Sequence, residues 1–438
     1  MMVTETNQLA QRRRFVRLAI PNIFAAVLVP VAGLVDMAML GHLDSITHLA
    51  GVALASVLFD YLYWSFGFLR MVTTGLTAQS LGANDFIAVD RVLWRGLFVA
   101  ASLALLIVLF QSSIADLGFW MLRGEAGVEF SGREYFDARI LGAPAVLFNY
   151  VLIGWLLGRE RSKDALVLSA VGNGMNIVLD YWFIYELNLA SAGAGWATAL
   201  SQYIMLAMGI VMMARLGKSA PLKIVFSEFW DRQAWKRLFG LNGDMMVRTI
   251  ALQTAFAVFT NGSALLGTGI LVANAVLLKV LSIASFFIDG YAYATESLAG
   301  IYAGSGDKKN LKSLLTLTMW ASEITGIILV TAFVAFPNTM FGVMTDHQMI
   351  LDTVGQYMYW LYPVVGLGAL AYALDGYFIG LTLSGPMRRS MLFAVASFLL
   401  LAGLAAMLEN NHVLWAAWSA FMGVRLVTLW RQAPATWS

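Results

Sequence analysis

The chain has 438 residues, of which 60% are hydrophobic and only 12% are charged, and its formal net charge is +2. Soluble domains carry about twice that charged fraction, so the composition excludes a soluble protein and indicates an all-α polytopic membrane protein. The chain has no cysteine and only four scattered histidines, which excludes disulfides and thiolate chemistry and predicts no metal site.

Twelve long apolar segments follow one another along the chain and predict twelve transmembrane helices. Turn residues and charges separate them, and the first is too long for a signal peptide, so we expect it to be retained. The predicted spans are 16–40, 48–71, 93–116, 134–157, 165–186, 193–214, 242–262, 268–296, 312–336, 355–381, 388–408 and 412–430.

The first predicted span has an unusual composition for a membrane helix, because it contains Pro21, Pro30 and the carboxylate Asp36. A lone acid in a spanning helix is unfavourable and marks a functional site by default. The alternative is a structural acid bonded to a neighbouring donor. Prolines remove backbone hydrogen bonds, so this helix is predicted to bend during function, the alternative being a static kink.

Lysine and arginine are divided unevenly among the loops. The longest polar connection, about 215–240, and the loops on its side of the membrane hold most of them, whereas the alternate loops hold only Arg123 and Arg133. By the positive-inside rule, this bias predicts that both termini are cytoplasmic. The basic residues lie in short loops, so we expect a lipid bilayer and no nucleic acid as partner.

An internal repeat appears when the chain is compared with itself at an offset of 222 residues. The segment 75–85 then lies over 297–307, and GWLLG at 154–158 lies over GYFIG at 376–380 with both glycines in register. Two separate matches at one offset indicate two halves of the same orientation. They predict a parallel repeat about an axis along the membrane normal.

Each half of this repeat contains six predicted spans. We therefore expect two pseudo-symmetric six-helix bundles, an N-terminal lobe at 1–214 and a C-terminal lobe at 241–438. The basic segment 215–240 is the predicted cytoplasmic linker between them.

Counting residues along the spans places several polar side chains at one depth of the N-terminal lobe. Asp36 and Asp180 both lie a few residues from the outer ends of their helices, where each residue advances about 1.5 Å. Asn173, Asn176 and Asp180 share one helix face because their spacing is i, i+3 and i+7. The same level of the lobe also receives Thr198 and Arg139, and Tyr135 lies one turn nearer the outer mouth.

This cluster supports two readings. Two carboxylates in one pocket that excludes water cannot readily both stay ionised, so a shared proton would make Asp36 and Asp180 a proton carrier. A salt bridge from Arg139 to either acid would instead hold both ionised. The sequence leaves the choice open.

The C-terminal lobe carries its charges closer to the cytoplasm. Arg248, Asp289 and Asp375 predict a charge-compensated inner cluster, either purely structural or an inner gate that opens and closes. Lys279 is the only lysine near the centre of a span, and the sequence assigns it no role.

These features together resemble the multidrug and toxic compound extrusion (MATE) transporters, specifically their DinF-type branch. The resemblance covers nearly the whole chain. It implies two six-helix lobes in a V shape around a central cleft, and export of organic compounds against an inward ion flow. It rests on LVDMAMLGHLDS (34–45), GFLRMVTTGLTAQSLGAND (67–85) and GNGMNIVLDYWFIY (172–185), with support from GAGWATALSQY (193–203), NGDMMVRT (242–249) and DGYAYATESLAG (289–300).

The resemblance also implies roles for single residues. Asp36 stands where this branch has its proposed protonation site, and Pro21 stands where related proteins bend. The pair on the fifth helix matches Asn176 and Asp180. The helix 6 threonine matches Thr198, and an aromatic hydroxyl on helix 4 matches Tyr135.

A sodium site in the C-terminal lobe is disfavoured. Family members that couple to sodium there carry an acid well inside the seventh helix, whereas Asp244 lies near the inner end of that span. We expect no cofactor beyond the coupling ion, which is the proton, with sodium as an alternative because Asp36, Asn176, Asp180 and Thr198 all offer oxygen atoms.

We therefore predict a proton-coupled antiporter of the bacterial inner membrane that exports amphipathic, cationic drugs or metabolites. We expect small organic molecules as substrates, no enzymatic activity and no obligate protein partner. The alternatives are a sodium-coupled exporter and a flippase for lipid-linked precursors. A flippase would favour a basic cavity that binds pyrophosphate, whereas the N-terminal lobe offers acids.

Overall fold

The computed structural model describes residues 2–43, 45–122, 124–216, 221–345 and 347–437. Arg123, one of the two basic residues of the loops predicted to lie outside, is not within these ranges. The described segments contain helices, turns and no strands. The α-helices are α1 (Met2–Gly41), α2 (Ile46–Ser65), α3 (Phe68–Gly82), α4 (Phe86–Leu109), α5 (Gln111–Leu122), α6 (Ala126–Ile140), α7 (Ala143–Gly158), α8 (Ser162–Tyr181), α9 (Ala190–Arg215), α10 (Leu222–Ser227), α11 (Arg232–Leu265), α12 (Thr268–Gly304), α13 (Lys308–Ala335), α14 (Pro337–Gly342), α15 (Gln348–Tyr357), α16 (Leu361–Gly380), α17 (Ser384–Met407) and α18 (Asn411–Trp430).

Every predicted span coincides with a helix or with consecutive helices. The second span is divided into α2 and α3, the third into α4 and α5, the fourth into α6 and α7 with a 53° bend, and the tenth into α15 and α16. Within the described residues, nine helices are long and apolar enough to cross a membrane, or ten if the bent pair is one span. The all-α membrane class is confirmed, and the count of twelve spans stays a prediction.

The internal repeat is visible in the local geometry of the chain. Asp85 and Asp307, which the 222-residue offset aligns, each cap the helix that follows by accepting a hydrogen bond from the backbone N–H three residues later. The residues immediately before them, Asn84 and Gly306, both have a positive φ, 58° and 73°. Both halves therefore use the same turn and the same cap.

The aligned glycines make the same contact in both halves. A Cβ atom added to Gly154 of α7 would lie 2.5 Å from the carbonyl oxygen of Arg70 on α3. One added to Gly376 of α16 would lie 2.6 Å from the carbonyl oxygen of Ala292 on α12. The second glycine of each pair repeats this approach one turn later, at 2.7 Å and 2.5 Å. Only glycine lets these helices touch backbone to backbone.

We expect Gly376→Ala to lower the melting temperature of the purified protein. The new methyl group needs space that a carbonyl oxygen already occupies, and such overpacking costs about 1–3 kcal/mol. Gly403→Ala on α17 is the matched control, since nothing lies within 4 Å of a Cβ atom there. The control should be neutral or slightly stabilising because alanine favours the helix. Equal melting temperatures for the two variants would contradict this close contact.

Contacts divide the chain into two compact units. One comprises Met1–Ile23 and Arg237–Ser438, and the other comprises Phe24–Lys236. The first part of α1 therefore belongs to the unit that is built from the second half of the chain. The division into functional lobes at 1–214 and 241–438 stays a prediction.

Helix α1 runs without interruption across both of its prolines. Pro21 is buried and Pro30 is half-buried, and the apolar part of the helix extends unbroken from Leu9 to Gly41. The backbone is helical on both sides of each proline, so bending of α1 during transport stays a prediction.

Candidate functional site

Two acids from different helices meet inside the unit Phe24–Lys236. The carboxyl groups of Asp36 on α1 and Asp180 on α8 lie close enough to share a hydrogen bond. Asp180 is fully buried and Asp36 is half-buried. The Oδ1 atom of each acid is shielded and has no hydrogen-bond partner among the described residues. A hydrogen bond between two carboxyl groups requires a proton on one of them, so this geometry creates a place for a proton.

A buried amide completes the pair. The Nδ2 atom of Asn176 donates to Oδ2 of Asp180 at 2.8 Å. The two residues are four positions apart on α8, which places them on one helix face. Asn173 was predicted on the same stripe, but its Nδ2 atom donates to the backbone carbonyl of Ser169 at 2.8 Å. The structure therefore brings Asn176 to the acid and binds Asn173 to its own helix.

Arg139 lies near the acids and bonds elsewhere. Its Nη1 atom donates to the Tyr135 hydroxyl at 2.6 Å, and its guanidinium carbon lies 4.4 Å from the ring centroid of Phe59. Its positive charge acts on both carboxyl groups from a distance. Across the described ranges it forms no ion pair with Asp36 or Asp180, so the salt bridge considered from the sequence is not formed in this structure.

The last predicted member of the cluster, Thr198 on α9, also bonds within its own helix. Its hydroxyl donates to the carbonyl of Ala194 at 2.9 Å. A threonine hydroxyl in a membrane helix commonly takes the carbonyl one turn earlier, because the bilayer offers no other acceptor. The sequence predicted only the depth of Thr198 along its helix, and depth does not determine which atom its hydroxyl contacts.

Of the aromatic residues that surround Arg139, sequence reasoning named Tyr135 and missed Phe59 and Tyr63. The rings of Phe59, Tyr63 and Tyr135 lie 4.4, 5.8 and 5.4 Å from its guanidinium carbon. The Tyr63 hydroxyl is buried without a hydrogen-bond partner among the described residues. The i, i+4 spacing of Phe59 and Tyr63 was the available signal, and it is equally typical of ordinary helix packing.

A second charged cluster lies inside the other compact unit. The Nη2 atom of Arg248 on α11 donates to Oδ2 of Asp375 on α16 at 2.5 Å, and Arg425 on α18 donates to the same oxygen. The exposed fractions of the three residues are 6%, 5% and 1%. Asp289 lies half-buried on α12.

Arg425 was not among the predicted members of this cluster. Its sequence signal was a single arginine in the middle of the last apolar span, where a charge needs a partner. The structure supplies that partner in Asp375, and the ring of Tyr372 lies 5.1 Å from the Arg425 guanidinium.

The geometry can be set beside known proteins. The sequence model of the MatE family matches residues 21–182 and 245–407, one stretch in each half of the chain. The chain is 36% identical over 420 residues to DNA damage-inducible protein F of Escherichia coli strain K12, covering 95% of this chain and 91% of that protein. The DinF-type resemblance is thereby confirmed.

Solved structures show the same fold. A MATE protein crystallised in the straight conformation superimposes with a TM-score of 0.85 at 21% identity, covering 97% of this chain and 94% of that one. An outward-facing multidrug resistance MATE family transporter of the MOP superfamily gives 0.86 at 19% identity, covering 97% and 96%. The chain therefore belongs to the MatE family, whose members are multi-pass membrane transporters and not enzymes.

Proposed function

We propose that this protein exports small organic compounds across the bacterial inner membrane in exchange for protons, and that Asp36 is the group that binds the proton. The contact between Asp36 and Asp180 carries the proposal, because it joins two acids on two helices through a hydrogen bond that needs a proton. The multidrug resistance transporter among the structural neighbours supports export as the activity.

The proton would act by holding α1 against α8. When it leaves, two negative charges face each other, and unit charges 4 Å apart repel by about 4 kcal/mol at an effective dielectric constant of about 20. Asn176 stays bonded to Asp180, so Asp36 is the partner free to withdraw. Coupling requires that the proton bind the two shapes of α1 with different affinity, and this repulsion supplies the difference. Pro21 and Pro30 would ease the accompanying change of α1.

The aromatic ring cluster around Arg139 supports a cationic substrate. Three rings and a tyrosine hydroxyl already hold a guanidinium group in this unit. An amphipathic organic cation is likewise stabilised by ring faces, and a nearby negative charge adds to its binding. We propose that such cations bind near this cluster and that deprotonated Asp36 contributes the negative charge.

Sodium remains the second candidate for the coupling ion. The Oδ1 atoms of Asp36 and Asp180 are shielded and have no hydrogen-bond partner within the described residues. Hard monovalent and divalent cations prefer oxygen ligands of this kind. The same pair could therefore bind a sodium ion in place of a proton.

We propose a structural role for the cluster of Arg248, Asp375 and Arg425. All three side chains are more than nine-tenths buried, whereas the charges of an opening gate must meet water in one state. Asp289 stays a candidate gate residue by its position on α12. Both termini are proposed to be cytoplasmic, on the side where the loops hold most of the lysine and arginine.

Vesicles with the reconstituted protein test the coupling ion. With a pH gradient and no sodium, we expect the wild-type protein to drive efflux of a cationic dye, and nigericin, which collapses the gradient, should stop it. Efflux that requires sodium would assign the oxygen pair to sodium. Transfer of a lipid-linked pyrophosphate without dye efflux would favour the flippase. Protein-free vesicles give the background.

A further inference from the structure

The connection between α9 and α11 contains a short amphipathic segment packed against α4. It comprises α10, the turn that leads to Arg232 and the start of α11 up to Lys236. Val225, Phe229 and Trp235 point inward, with exposed fractions of 1%, 6% and 8%. This part of the linker is therefore a docked element with a buried side and an outer side.

Two arginines of α4 hold the segment in place. Arg95 donates through Nη2 to the carbonyl of Glu228 at 2.5 Å and through Nε to the carbonyl of Phe229 at 3.0 Å. Arg91 forms an ion pair with Glu228 at 2.5 Å. The ring of Phe98 on α4 packs edge-on against Trp230 at 5.4 Å. The segment is fixed to α4 by backbone hydrogen bonds, charge and ring packing together.

The position of α4 in the bilayer sets the depth of this contact. Arg95 is the last charged residue before the uncharged run 96–115. Phe98 lies three residues further, about 4.5 Å along the helix axis. The rings of Phe98 and Trp230 therefore lie where hydrocarbon meets headgroups, the level at which aromatic residues concentrate in membrane proteins.

The outer side of the segment combines apolar and basic side chains. Ile224, Phe226 and Trp230 are 45%, 44% and 69% exposed. The exposed cations of the same stretch have no hydrogen bond or ion pair within the described residues. These cations are Lys223, Arg232 and Lys236.

The acids of this stretch are already engaged. Glu228 pairs with Arg91, and Asp231 accepts a hydrogen bond from the backbone N–H of Ala234 at 2.8 Å. Asp231 keeps its negative charge, but the three cations outnumber it, so the outer side carries net positive charge at headgroup level.

We propose that this outer side, the linker face (Lys223, Ile224, Phe226, Trp230, Arg232 and Lys236), binds the headgroups of anionic phospholipids. Apolar side chains enter the acyl boundary while cations meet phosphate, which is how interfacial segments bind anionic membranes. The chain passes from one compact unit to the other at Lys236 and Arg237. A lipid bound here therefore holds the linker at the point where the two units are joined.

Native mass spectrometry of the full-length protein with added lipid tests this proposal. We expect wild-type protein to retain phosphatidylglycerol in preference to phosphatidylcholine. The triple variant Lys223→Gln, Arg232→Gln, Lys236→Gln should lose phosphatidylglycerol affinity by about tenfold or more, with phosphatidylcholine binding unchanged. Both proteins are compared in the same detergent and without an ion gradient. Because no transport is measured, the result does not depend on which ion is coupled.

A second triple variant controls for the loss of charge. Lys163, Lys309 and Arg389 are exposed cations outside the linker face, and their change to glutamine should leave phosphatidylglycerol binding at the wild-type level. Equal binding by all three proteins would overturn the proposal and indicate that the face serves another partner. Equal losses in the two triple variants would also overturn it, because net charge and not the linker face would then bind the lipid.

Discussion

Replacing Asp36 by asparagine is expected to reduce proton-driven efflux to the rate of protein-free vesicles. Asparagine has nearly the same size and can donate a hydrogen bond to Asp180, so the contact between α1 and α8 is kept. It can neither take up nor release a proton, so α1 loses the change of charge that the proposal assigns to Asp36. A gradient of one pH unit provides about 1.4 kcal/mol per proton, and the variant has no group at this position through which to use it.

The control for this variant is Asp352→Asn, which makes the same chemical change on exposed α15, where the carboxylate accepts a hydrogen bond from Gln348. Efflux of a fluorescent cation is measured under an imposed pH gradient, and binding of the same cation is measured by fluorescence polarisation. We expect Asp36→Asn to retain dye binding. Wild-type efflux in Asp36→Asn would refute the coupling role and leave Asp36 as a structural acid.

The largest loss of stability is expected for Asp375→Asn. The variant leaves Arg248 and Arg425 without a counter-charge in an interior where all three side chains are more than nine-tenths buried. Breaking a buried ion pair from one side destabilises proteins by about 3–5 kcal/mol. Thermal unfolding in detergent, followed through loss of the monodisperse protein, should show a clear drop in melting temperature.

The matched control is Asp244→Asn. Asp244 pairs with Arg388 at 2.5 Å, but the Arg388 side chain is 44% exposed, and exposed pairs contribute only about 0–1 kcal/mol. If Asp375→Asn were as stable as this control, water would have to reach the cluster, as in a gate that opens. Replacing all three members by apolar residues of similar size should recover much of the stability, because no unpaired charge is left.

The features that the sequence predicted best depend on spacing along one helix or on the repeat. Asn176 and Asp180 are one turn apart, so the α-helix itself places them together. Asp36 could be matched to Asp180 because rise per residue converts sequence position into depth. The repeat needed only two aligned segments, and the helix caps and glycine contacts of the structure bear it out.

Other features depend on which way a side chain turns, and depth does not contain that information. Asn173 was placed by helix face and Thr198 by depth, and the polar atoms of both bond to carbonyls of their own helices. A salt bridge from Arg139 to an acid was considered from the sequence. In the structure Arg139 instead lies over aromatic rings and donates to a tyrosine hydroxyl. Arg425 joins Asp375 through contacts between separate spans, which no local pattern records. The breaks within the second, third, fourth and tenth spans were likewise not predicted.

The glycine contacts bear on where each unit can deform. At Gly154 the backbones of α7 and α3 touch, and at Gly376 those of α16 and α12 touch. The two helices of each pair cannot slide or rotate past one another without collision, so each pair deforms as one stiff body. The part of α1 that follows Ile23 has the opposite character, since a Cβ atom added to Gly33 would meet nothing within 4 Å beyond its own helix backbone, and Phe24 and Leu34 are exposed. We therefore expect elastic strain during a transport cycle to collect in the compliant helix that carries Asp36, the proposed proton-binding acid, while the stiff pairs keep their shape.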